Sequence, residues 1–213
     1  MFVSSCFKEC FDMWSTPVSE RYFSLVAERQ CGECMVCCSY MYINAPGLKK
    51  PADVLCDNCI VDKGCRIYDS RPNVCRTWHC LWRRVQTMPP ELRPDKSGVI
   101  FSLNISYEPR HILENAYIVC MALADPSVFD MPTVSCMIDM FVNDGSLPVW
   151  LSFRGSKTLA YPTPELADAI ANPYTTIHKD LLKEGKIWSE RYCSLLEPLQ
   201  TRNNRFTLQF LHN

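Results

Sequence analysis

The sequence predicts an α+β protein: a cysteine-rich N-terminal module carrying a helix, followed by a small, mostly antiparallel sheet packed with helices. Three observations point there. Nine of the fourteen cysteines fall between Cys31 and Cys80, in a stretch with no regular apolar period. After residue 97, β-branched and aromatic runs alternate with turn residues in the order β-β-α-β-β-α. Between the two, "QTMPPELRPDKS" (86–97) carries three prolines and reads as a connector. The expected division is a cysteine module over 1–95 and an α+β domain over 96–213.

Residues up to 30 read as a lead-in helix. Thr16 suits its cap and Pro17 its first turn; Val18, Tyr22, Leu25 and Val26 share a face, and Gly32 follows as a stop. Residues 31–80 scatter their apolar positions among Gly, Pro, Asp, Asn and Arg, thinly for a dense core, and a bound metal could supply the missing folding energy. "GVIFSLNIS" and "AYIVCMAL" read as strands. Val134, Met137, Ile138, Phe141 and Val142 form a helical stripe, opened near Pro132 and closed at Asn143-Asp144-Gly145. "VWLSF" and "TLAY" read as two further strands joined at Arg154-Gly155-Ser156, and two or three short helices close the chain, the last marked by Trp188, Tyr192, Leu195 and Leu196.

Net charge is −1 and no long charge run occurs, which gives nucleic acid no electrostatic footprint. "MFVSSCFKECFDMWS" lacks a basic start and is broken by Lys8, Glu9 and Asp12, unlike a secretory leader. No run approaches the ~20 apolar residues of a membrane span. The chain reads as cytoplasmic, with no nucleic-acid or membrane partner. A reducing compartment keeps thiols free, so clustered cysteines there point to metal or redox chemistry.

Cys31, Cys34 and Cys37 stand at C-x2-C-x2-C with Cys38 adjacent, Cys56 and Cys59 make a second C-x2-C, and Cys65, Cys75 and Cys80 complete nine. Two-residue spacing lets both thiolates of a turn face one metal, in zinc and in iron–sulfur sites alike. Two assignments compete. Cys31, Cys34, Cys56 and Cys59 make a tetrahedral zinc site, or Cys31, Cys34 and Cys37 grip a 4Fe–4S cluster whose fourth ligand is Cys75 or Cys65. The second is preferred for its three-plus-one pattern, although the proline that follows the last ligand in bacterial ferredoxins is absent. If the segment is extended, Cys37 and Cys38 point apart, so one is spare or the pair bridges two sites. Residues 31–95 hold nine Lys and Arg against seven Asp and Glu, and Arg66, Arg71 and Arg76 lie beside the cysteines in sequence, where positive charge favours thiolate.

"CGECMVCC" and "CRIYDSRPNVCRTWHC" resemble the CxxCxxCC cysteine-cluster proteins, or YkgJ type, described as zinc- or iron-chelating. Cys31, Cys34, Cys37, Cys38, Cys65, Ile67, Tyr68, Arg71, Pro72, Cys75 and Cys80 carry the likeness, over residues 31–83. It implies metal chelation, and a related pattern in flagellin lysine methylases implies iron–sulfur ligation. Cys56-x2-Cys59 departs from it, since many members have one cysteine in that region, and no methyl-donor site is recognisable.

Arg71 and Tyr68 are expected to buttress the cofactor loop, with Pro72 turning the chain towards Cys75. His79 is a less favoured ligand, and His111, His178 and His212 are scattered. Cys6 and Cys10 share a helix face, while Cys120, Cys136 and Cys193 read as core thiols. No Ser/His/Asp set, H-E-x-x-H or nucleotide fingerprint occurs. The expectation is a metal-binding protein holding an iron–sulfur cluster or zinc. A redox or group-transfer enzyme, a structural zinc protein that docks a protein partner, and a metal carrier all remain open.

Overall fold

The computed structural model describes residues 18–106, 108–172 and 179–203. Cys6, Cys10, Thr16, Pro17, His178 and His212 lie outside them. The chain is a mixed α and β fold. Its main sheet has four strands in the order β5 (Val99–Ile105), β6 (Ala116–Ala122), β7 (Val149–Phe153) and β8 (Ser156–Tyr161). The outer pairs β5–β6 and β7–β8 are antiparallel, and β6–β7 is parallel. A parallel neighbour needs a crossover. Helix α5 (Pro132–Asp144) supplies it, bounded by Pro132 and Gly145 where the sequence pattern placed it. The β7–β8 hairpin turns through Arg154 and Gly155 alone, both at positive φ, so Ser156 already belongs to the strand.

Alternation along β5 decides how the two halves of the protein meet. Val99 and Phe101 face the main core, with Ile118 and Cys120 from β6 and with Val134, Met137 and Phe141 of α5. Ile100 points the other way and packs with Val36 and Met41 of the cysteine-rich segment. Both faces of this end of β5 are thus covered, and Val99, Ile100 and Phe101 are all buried. No helix among the described residues is long and apolar enough to cross a membrane.

Three elements differ from expectation. Among the described residues the lead-in helix is the turn α1 (Val18–Arg21), and residues 22–30 do not continue it. Beyond it the Arg84 guanidinium takes the carbonyls of Tyr22 and Phe23 (3.2 and 2.7 Å), and the Val26 N–H bonds the Arg83 carbonyl (2.9 Å). Tertiary partners thus replace the helical ladder; Tyr22 and Val26 are buried and Leu25 is exposed. The proline-rich segment is no loose connector. Its Met88 and Leu92 are buried in the main core, because Arg29 gathers the carbonyls of Trp82, Val85, Gln86 and Met88 and pins the chain there. At the C-terminal end, α6 (Pro164–Ala171) is followed by the 25-residue α7 (Lys179–Asn203) rather than by short helices. Trp188, Tyr192 and Leu196 of α7 enter the core as their spacing suggested. Cys120 is a core thiol, but Cys193 is exposed. His111 caps a short turn by accepting from the Leu113 N–H.

Candidate metal centre

Between the sheet and the chain start, residues 31–80 fold as short pieces held by turns. Helix α2 (Val36–Tyr40) is followed by the hairpin β1 (Ile43–Ala45) and β2 (Leu48–Lys50), then by the smaller hairpin β3 (Cys59–Ile60) and β4 (Gly64–Cys65), and by α3 (Asn73–Thr77). Each C-x2-C closes on itself: the Cys34 N–H bonds the Cys31 carbonyl (3.0 Å) and the Cys59 N–H the Cys56 carbonyl (2.8 Å). The first turn uses Gly32 at φ 55°. The loops meet at Gly64, φ 83°, where an added Cβ would lie 2.9 Å from the Gly32 carbonyl oxygen. Only glycine permits that approach.

The pieces enclose a cavity of ≈ 90 Å³. Eight of the nine clustered cysteines line it: Cys31, Cys34, Cys37, Cys38, Cys56, Cys65, Cys75 and Cys80. Cys59 stands off the wall but hydrogen-bonds Cys38. Tyr68, Arg71 and His79 also line the cavity, with Val36, Trp78 and Ile100 among its apolar walls. Arg71 lies over the Tyr68 ring, 3.6 Å from its centroid, and donates to the Tyr68 carbonyl (2.7 Å), so both expected loop residues act as one unit.

The nine thiols do not mix evenly. Cys37 interacts most strongly with Cys38 and also with Cys31 and Cys34, and Cys80 interacts with Cys31 and Cys34. Cys59 and Cys75 each interact with Cys38, Cys56 and Cys65. Cys59 pairs with Cys65 across the β3–β4 hairpin, and the Cys56 N–H bonds the Cys38 carbonyl (2.9 Å). Cys80 lies near Cys31 and Cys34, as Cys37 does, while Cys56 and Cys59 lie with Cys38. Cys37 and Cys38 sit in a helix rather than an extended strand, so they diverge by roughly 100° about its axis.

Electrostatics also differ from the expectation that neighbouring arginines favour thiolates. Burial pushes the Cys34 thiol up to about 11, Cys75 to about 11, Cys59 to about 12 and Cys80 to about 12. The exception is Cys38, lowered to about 6 chiefly by the hydrogen bond it receives from Cys37, with Cys59, Lys50 and Arg71 adding to the effect. The same bond, with burial, raises Cys37. Arg66 and Arg76 are exposed and do not line the cavity; Arg71 does. Burial holds His79 down to about 4, leaving it neutral at pH 7.

Two cations escaped the sequence reading. Lys50 is buried, its ammonium donating to the carbonyls of Ser39, Pro51 and Val54 (3.2, 2.8 and 2.6 Å) beside Cys38 and Cys56. Arg83 lines the cavity, and its buried Nε and Nη1 have no hydrogen-bond acceptor. Neither belongs to a motif, so sequence gave no local signal for them. As they stand, no three Cys, His, Asp or Glu side chains among the described residues are arranged to hold a metal ion. The donor chemistry nonetheless fits one: soft sulfur ligands, a neutral imidazole and a buried guanidinium that lacks an anion.

Compared with protein-family models, curated proteins and solved structures, the chain matches none.

Proposed function

We propose that this chain is a thiolate metalloprotein, of the kind the CxxCxxCC resemblance implies, whose cysteine-lined cavity holds an iron–sulfur cluster or zinc. The observation that carries the reading is eight cavity-lining thiols in one cavity with Arg83, whose buried Nε and Nη1 have no acceptor. A buried cation without a partner is costly. Thiolates gathered round a metal carry net negative charge and give Arg83 the acceptors it lacks. Iron–sulfur is favoured over a single zinc ion. With Zn–S bonds of 2.3 Å, four sulfurs must stand about 3.8 Å from one another. Eight thiols line one cavity, twice the ligand set of a single zinc ion, which suits a polynuclear centre. Arg71, stacked on Tyr68, faces Cys38 and Cys75 and orients that side of the site.

A second reading, metal-supported docking of a protein partner, is favoured by Val54, Leu55, Ile60 and Val61. These exposed apolar residues flank the second C-x2-C. Anaerobic purification followed by iron, zinc and acid-labile sulfide analysis decides between the readings. Iron with sulfide and a visible band that bleaches reversibly on reduction supports the cluster. Zinc without sulfide leaves the docking role. Absence of bound metal, even after reconstitution, overturns both.

A further inference from the structure

We propose that eight of the nine clustered thiols form two separate metal–thiolate centres that meet at the Cys37–Cys38 pair. Cys31, Cys34, Cys37 and Cys80 hold one, and Cys38, Cys56, Cys65 and Cys75 hold the other. The proposal rests on the metalloprotein reading and adds the number and membership of its sites.

Backbone geometry carries the division. On helix α2 Cys37 lies near Cys31 and Cys34, and Cys38 lies by Cys59 and is tied to the Cys56–Cys59 turn by the Cys56 N–H on its carbonyl. Residue Cys65 reaches the second group through its hairpin register with Cys59. Cys75 sits on α3, whose first turn closes from Pro72, and interacts with Cys38, Cys56 and Cys65. Three residues after α3 the chain delivers Cys80 to Cys31 and Cys34 instead. The cavity lining then divides four and four, with Cys59 left off the wall as a neighbour of Cys38. Four sulfurs are a full ligand set for one zinc ion or one cubane cluster, and eight exceed what either can use.

Each group also has its own cations. Arg84 lies by Cys80 and Arg83 lines the same cavity, whereas Lys50 and Arg71 lie by Cys38. Coordination replaces each S–H proton with a metal bond and releases the proton to solvent. Each four-thiolate centre on a divalent ion then carries a net charge of −2, against which one of these cation pairs is set.

The test uses the full chain, stripped of metal, reduced and titrated anaerobically with cobalt(II), whose thiolate charge-transfer band reports sulfur ligation. Saturation at two equivalents is expected. The double variant C31S/C80S should saturate at one, with the band of the second centre, and C65S/C75S at one with the band of the first. Near-ultraviolet circular dichroism of the Trp188–Tyr192 core checks that each variant is folded. Wild-type saturation at a single equivalent overturns the division whether or not the variants fold, as does loss of the whole band in both folded variants. Absence of any charge-transfer band in the wild type overturns the metalloprotein reading itself.

Discussion

Replacing Arg83 with methionine should move the metal-free and metal-loaded protein in opposite directions. Methionine keeps most of the buried apolar stem and removes the guanidinium. In the reduced, metal-free protein at pH 7 the Cys34 and Cys80 thiols of the same cavity are neutral, because burial raises them to about 11 and about 12. Nε and Nη1 are then buried donors without acceptors. Each such donor costs about 1–3 kcal/mol. Removing both should stabilise the metal-free protein by about 2 kcal/mol, taking the low end for each. In the loaded protein the same donors face charged sulfur acceptors, each worth about 1.5–3 kcal/mol. Their loss should weaken metal binding by about 3 kcal/mol, roughly 100-fold in Kd. Urea unfolding of the stripped protein measures the first effect. Competition for zinc against a chromophoric chelator, under reducing anaerobic conditions, measures the second. A variant that is less stable without metal, yet binds zinc within about threefold of wild type, would refute the role given to Arg83.

Two tyrosines make a matched pair. The Tyr192 hydroxyl accepts from the Ala116 N–H and donates to the Ala116 carbonyl, both at 2.8 Å, where β7 has not yet begun to pair with β6. Tyr192→Phe should cost about 2–4 kcal/mol in urea unfolding, whereas Tyr22→Phe, which removes a buried hydroxyl with no partner, should be neutral or stabilising by about 1 kcal/mol. Burial raises the Cys120 thiol above its ordinary 9.0. The folded state therefore holds that proton longer than the unfolded state, and its stability is complete below pH 9 and declines above it. Cys120→Ala should flatten that alkaline decline by up to about 1.4 kcal/mol per pH unit, measured as unfolding free energy from pH 8.5 to 10.5. Gly64→Ala puts a methyl 2.9 Å from the Gly32 carbonyl at a positive φ. It should cost about 1–3 kcal/mol locally and lower metal content while the Trp188–Tyr192 core keeps its near-ultraviolet spectrum.

Much of the sheet was legible because its signal is local. The alternation in Val99–Ile105, the β-branched run of β6 and the Pro132-to-Gly145 frame of α5 each state their own structure. The lead-in helix was misread because Arg29 and Arg84, which organise residues 22–30 and 81–88, act across more than fifty positions. Within the continuous α7, Gly185 lies where α6 approaches: an added Cβ would be 3.4 Å from Ala169. At the candidate site the two C-x2-C turns were readable from spacing alone. The association of Cys80 with Cys31 was not, since it depends on where α3 ends. Nor were Arg83 and Ile100, which line the cavity, or Lys50, which lies beside Cys38 and Cys56, each supplied by an element whose own pattern concerns something else.

X-ray absorption at the metal edge of anaerobically purified protein tests the central claim most directly, because it reads the atoms bound to the metal. The expected first shell is sulfur only, about 2.3 Å from the metal, with an added iron–iron shell if the centre is a cluster. A first shell of oxygen and nitrogen would place the metal elsewhere on the chain and contradict the assignment of the cysteine-lined cavity as its site.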